Sequence, residues 1–176
     1  MPKTAASAFD PDAQAFITAA AITDPTQQNA INTLVISLKG YSIWTKFKAI
    51  YPVVGGSASS HAVNLKTPGT FNLTYGTGVT HSANGMVSNG MTGFANTNFN
   101  PTSGFSVDDN VHLSFYSRTN LSTNQIEIGS AISGGGPYLI LQLRASGTTY
   151  YIMNIGGSYT SAADSDSRAF YIGNRI

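Results

Sequence analysis

Cysteine is absent from this sequence, so disulfides and thiolate metal sites are excluded outright. The absence leaves the compartment open. Charge is scarce as well: Asp, Glu, Lys and Arg make up 10% of the 176 residues, against roughly 25% in an ordinary soluble domain. The net charge is +1 and no basic run exists, which leaves no field to gather nucleic acid or an acidic membrane. No apolar run approaches the ~20 residues of a membrane span. The first residues, "MPKTAASAFD", carry no signal-peptide core, so the chain is expected to be made in a cytoplasm and to stay there or leave by cell lysis.

Gly, Ser, Thr and Asn replace the missing charges, a mixture that suits many strands joined by tight turns. A surface so poor in charge is also a weak guard against association, as in a subunit that works packed against others. With 41% hydrophobic residues, the chain has enough apolar material for one useful core.

Two helix starts open the chain. Residues 1–9 read as a flexible arm. Asp10 and Asp24 are N-cap residues, and each is followed by proline, which fits the first helical turn. Gln27 stands three residues after Asp24, as in a capping box. Ile31, Leu34, Val35 and Leu38 then follow the i, i+3, i+4, i+7 spacing of one helical face, and Gly40 is a stop. This predicts a helix over 25–39. "YSIWTKFKAIYPVV" predicts a further short helix ending before Pro52, with Trp44, Phe47 and Tyr51 facing a core.

From about residue 61 the apolar period becomes two. "TFNLTYG" places Phe71, Leu73 and Tyr75 on one face, and "NVHLSFYSR" places Val111, Leu113 and Phe115 on one face. "QIEIGSAI", "PYLILQLRA", "TTYYIMNI" and "AFYIGN" are further strands, and "RASGTTYY" reads as a hairpin. "THSANGMVSNGMTGFANTNFNP" is open to two readings, strands with tight turns or one long irregular loop. The fold class expected is mainly β with a helical N-terminal segment (residues 10–54), followed by an antiparallel β-sandwich or jelly roll over 55–176.

Chemistry is thinly supplied. Glycoside hydrolysis needs two facing carboxylates, and the chain has one glutamate, Glu127, inside a strand. Of the aspartates, Asp10, Asp12 and Asp24 belong to helix starts; Asp108 and Asp109 stand before a strand, and Asp164 and Asp166 lie in the polar "ADSDSR". That last loop admits a calcium reading, though it lacks the Gly and closing Glu of an EF-hand. His61, His81 and His112 have no partner at metal-ligand spacing. No Gly-x-Ser-x-Gly elbow or phosphate loop is present. These absences predict a protein without enzymatic activity, catalytic residues or an obligatory cofactor. Surface recognition remains. Asn84, Asn89, Tyr138 and Tyr159 are the candidate contacts to a glycan, competing with ordinary roles in turns and packing.

The run "DPDAQAFITAAAITDPTQQNAINTLVISLKGYSIWTKFKAIYPVVGG", with "HAVNLK", "THSANG" and "LSFYSRTN" after it, resembles a module of tailed-phage and prophage structural proteins. These are tail, fibre or head-associated components, many with a concanavalin A-like (laminin G-like) sandwich. The resemblance spans roughly residues 8–176 and is most specific from Asp10 to Gly56. It implies a virion structural protein, made in the host cytoplasm and located in the particle. Its expected partners are other virion proteins and further copies of itself. A carbohydrate- or host-receptor-binding module is the alternative. Such sandwiches are expected to continue for several strands beyond a segment like "AFYIGNRI"; either the sandwich is smaller here or its last strands are missing, and a missing strand leaves a sheet edge expected to be covered by a neighbouring subunit. The helical stripe is the other expected docking element, through Phe16, Ile31, Leu34, Val35 and Leu38.

Overall fold

The computed structural model describes residues 8–100, 110–122, 124–131, 138–153 and 159–175. Of the arm expected over 1–9, residues 1–7 lie outside this set, and so do Asp108 and Asp109. The chain divides into two compact units, residues 1–99 and 100–176. The boundary therefore falls at 99/100 rather than at 54/55, and the helices share a unit with the segment that follows them.

In the N-terminal unit, α1 (Pro11–Ala19) and α2 (Pro25–Gly40) begin as the caps dictate. The Asp10 carboxylate accepts from the Asp12 N–H and the Asp24 carboxylate from the Thr26 N–H, which satisfies amide donors that a helix start leaves open. Gln27 does not close a capping box. Its side-chain oxygen accepts instead from the Gly55 N–H, 28 positions along the chain. Lys39, in the last turn of α2, reaches back to both Asp10 and Asp12 and so ties the two helices together. The core contains Ala13, Phe16, Ile17, Ala20, Ile22, Ile31, Val35, Trp44, Val63 and Leu65. Phe9 packs against it, which removes that residue from the expected arm.

The second short helix is not formed. Only a 3-10 turn, Trp44–Lys46, follows α2. Ser42 takes φ 58° just before it, and beyond it the Ile50 N–H donates to the Asn64 side chain while the Leu65 N–H donates to Ile50. Those long-range bonds hold the stretch away from helical geometry. Trp44 is nonetheless core-facing, as its spacing implies, with Lys66 Nζ 4.5 Å from its ring centroid.

A short α3 (Ala58–Ala62) is fixed by a reciprocal box between Ser57 and Ser60. Small antiparallel pairs complete the unit: β1 (Thr74–Tyr75) with β4 (Ala95–Asn96), and β2 (Val79–Ser82) with β3 (Gly85–Ser88). The ambiguous "THSANGMVS" is thus a hairpin, with Gly85 at φ 119° closing its two-residue turn. "TFNLTYG" is a strand only at its end, because Phe71 sits at φ 57°.

The C-terminal unit is antiparallel β in its described residues. β5 (Val111–Tyr116) pairs with β10 (Phe170–Arg175) as a two-stranded ribbon. β6 (Ile128–Ala131), β7 (Tyr138–Ala145), β8 (Thr148–Ile152) and β9 (Thr160–Ala163) form a sheet in that order. The β7–β8 turn is Ser146–Gly147 at φ 50° and 82°, the two positive angles a tight hairpin demands. Leu141, Leu143 and Tyr171 are buried, with Leu113, Phe115, Ile128 and Tyr151 packed on them, so ribbon and sheet face one another. Gly173 marks the close approach, because a Cβ there would lie 2.9 Å from Met153 Sδ. Both units together make a mainly β chain with few helices. No helix among the described residues is long and apolar enough to cross a membrane.

Candidate functional site

The expected docking stripe is largely internal. Phe16, Ile31 and Val35 are buried in the N-terminal core, and Leu38 packs against it; Leu34 is 37% exposed. The reason is simple: α1 and α2 bury each other's apolar faces within one unit. A different apolar surface is open to solvent. On the β5–β10 ribbon, Phe170 stands opposite Tyr116 and Ile172 opposite Ser114. Phe170, Tyr116 and Ile172 are all exposed. The alternation of the strands puts these side chains on the face away from Leu113, Phe115 and Tyr171.

The four expected glycan contacts divide between the units, with Asn84 and Asn89 in one and Tyr138 and Tyr159 in the other. Asn84 is exposed at the β2–β3 turn. Asn89 is committed to its own loop. Its carbonyl oxygen accepts from the N–H groups of Met91, Thr92 and Gly93, and its amide donates to Thr92 Oγ1. Tyr159 is 62% exposed and meets the Tyr150 ring edge-on, with centroids 5.2 Å apart. Tyr138 begins β7, and its side chain lies outside the described set.

Glu127 has a structural partner. Strand β7 carries a bulge where Leu143 and Arg144 oppose the single residue Thr149, and Arg144 takes φ 45°. Two amides at the bulge donate to side chains. Glu127 Oε2 accepts from the Leu143 N–H at 2.6 Å, and Thr149 Oγ1 accepts from the Arg144 N–H at 3.1 Å. Burial raises the Glu127 pKa, and the Leu143 bond opposes that rise. Glu127→Ala is expected to cost about 1–3 kcal/mol by stranding that amide, whereas Glu127→Gln keeps an acceptor and most of the stability. Urea denaturation of both variants reads the difference, and equal losses would assign Glu127 another role.

The "DSDS" segment is likewise closed on protein donors. Asp164 Oδ2 accepts from Tyr171 Oη at 2.7 Å and Thr149 Oγ1 at 2.8 Å, and Asp164 Oδ1 accepts from the Asp166 N–H. Asp166 is held by Arg168, which brings its pKa down to about 2. The Ser167 hydroxyl, buried, accepts from the Leu121 N–H and lies 3.0 Å from the carbonyls of Thr119 and Leu121. These oxygens serve the fold, and the calcium reading of the loop gains no support from them. Among the described residues no group of three or more His, Asp or Glu side chains is placed to hold a metal.

One cluster has polar atoms left over. His61 on α3 is buried, and its Nδ1 lies 3.0 Å from Nδ1 of His81 on β2. The Tyr75 ring meets His81 edge-on, with centroids 4.6 Å apart. His61 Nε2 and the Tyr75 hydroxyl are both buried without a hydrogen-bond partner. Burial, helped by His81, lowers the His61 pKa, and burial pushes the Tyr75 phenol up to about 12. Sequence spacing could not join His61 to His81, because the pair forms only when the β2–β3 hairpin folds beside α3. His112 is elsewhere, with Nδ1 2.7 Å from Asn174 Oδ1 across the β5–β10 ribbon. Comparison of the chain with family models, curated proteins and solved structures finds no match.

Proposed function

We propose that the protein is a non-enzymatic structural subunit of a tailed-phage virion, an accessory component of head or tail. It assembles with other virion proteins or with its own copies. In this reading the C-terminal unit is part of a concanavalin A-like jelly-roll sandwich. The observation that carries the reading is the β5–β10 ribbon. One face covers the unit's own core, while the other offers Tyr116, Phe170 and Ile172 to solvent. Within the described residues β5 and β10 pair with each other as an antiparallel ribbon. An exposed apolar face of this kind is a surface that a neighbouring subunit can cover. The low charge and the resemblance of residues 8–176 point the same way. The helical stripe contributes less than its sequence implies, since most of it is buried within its own unit.

The carbohydrate- or receptor-binding alternative draws on Tyr159 as an exposed aromatic, but Asn89 is withdrawn from it by its own loop.

Electron microscopy of particles carrying the labelled chain tests the reading, paired with a Phe170→Asp/Ile172→Asp variant. The variant is expected to fold, because both side chains are already solvent-facing, and to be lost from purified particles. Normal incorporation would remove the ribbon from the interface. Absence of the wild-type chain from every particle would end the virion reading itself.

A further inference from the structure

We propose that His61 and His81 form a binding site for an imidazole-seeking divalent transition metal: Zn²⁺, Ni²⁺ or Cu²⁺. The two Nδ1 atoms approach to 3.0 Å, too close for two bare lone pairs to face each other: one ring donates an Nδ1–H, or both turn to a shared ion. A proton serves in the isolated pair, as an N–H···N hydrogen bond. A metal is the other occupant: a tetrahedral ion with bonds of about 2.0–2.1 Å places neighbouring ligand atoms about 3.3–3.4 Å apart. The pair therefore needs to open by only a few tenths of an ångström to become two adjacent ligands on one ion.

Several further features fit. Imidazole is a preferred donor for these three ions, and a chain without cysteine offers them no thiolate competitor. His61 is set in place by α3, whose start is locked by the Ser57–Ser60 box, so one ligand is pre-positioned. His81 is only half-buried, which gives an ion a route in. Tyr75 brings a buried, unpartnered hydroxyl into the same cluster. Buried polar atoms in native proteins are nearly always satisfied, so an orphan hydroxyl beside an imidazole pair marks a place for an additional group. With two imidazoles as its protein donors, the site keeps positions open for water or an external ligand, unlike a closed four-ligand structural centre.

The experiment is titration of the untagged, chelator-treated full chain with each ion, followed by calorimetry and by ¹⁵N-imidazole NMR. One ion per chain is expected, with two of the three histidine ring systems shifting and that of His112 unmoved. His81→Ala is expected to weaken binding by at least ~10-fold, while His112→Ala leaves it unchanged. The wild-type spectra make the test independent of how well a variant folds. No uptake of any of the three ions, or uptake that shifts only His112, overturns the proposal.

Discussion

Phe16→Ala is expected to cost the N-terminal unit about 3–5 kcal/mol, enough to unfold much of a marginally stable unit at ambient temperature. Phe16 is fully buried in the core that also holds Ala13 and Ile17 of α1 and Ile31 and Val35 of α2. Truncation removes the ring's burial and leaves a cavity that the two helices, tied by Lys39 to Asp10 and Asp12, cannot easily close. The chain supplies its own probe. Trp44 is the single tryptophan and lies in this core, so its emission during urea denaturation reports this unit. Leu34→Ala is the matched control. Leu34 is 37% exposed on the same helix, and its loss is expected to change stability by only about 0.5 kcal/mol. The pair separates a core stripe from a docking stripe. If Phe16→Ala kept its stability and lost only assembly, α1 would be an interface helix after all.

How far the sequence anticipates the molecule depends on the range of the forces involved. Helix starts are local: an Asp side chain reaching an amide two residues on is encoded within three positions, and both Asp-Pro steps behave as their chemistry requires. Strands with strong alternation, such as Val111–Tyr116, are similarly legible, as is the Ser146–Gly147 turn. Strand β9 was not legible. Thr160–Ala163 consists of small exposed residues with no apolar alternation, and its pairing with β8 defines it. The segment after α2 has helical spacing yet lacks a helix, because Asn64 and Leu65 capture its backbone. Tertiary hydrogen bonds override a propensity worth only tenths of a kcal/mol per residue. The same limit hides the His61–His81 pair and the role of Glu127. Each depends on a contact across 16 or more residues that no local pattern announces.

Asp164 illustrates the opposite error, an acidic residue that looks like a ligand site and acts as a strut. Asp164→Ala is expected to destabilise the C-terminal unit by about 2–5 kcal/mol, since it strands two hydroxyls at once. Thr149 is 1% exposed and Tyr171 is 8% exposed, so water cannot readily replace the lost acceptor. Thr149 also holds the Arg144 amide of the β7 bulge, which spreads the damage into the sheet. The pH dependence gives the loss a signature. Burial pushes the Asp164 pKa up, but the bonds from Tyr171, Thr149 and the Asp166 amide, with the Arg144 charge, outweigh it and leave the pKa below 3.8. A carboxyl depressed in the folded state adds stability that is fully present above its unfolded pKa and is lost as pH falls through the folded one. The gap between wild type and Asp164→Ala is therefore expected to be widest near neutrality and to narrow below about pH 4. At the alkaline end the sign reverses. Burial and the Asp164 bond raise the Tyr171 pKa above 10.0, so wild-type stability falls as pH climbs past that value. Without the carboxylate beside it, Tyr171 in the variant is less sensitive to that climb. Circular dichroism melts from pH 3 to 11 on both proteins read all three expectations. A gap that stayed constant across the range would mean that Asp164 acts through packing and not through its charge.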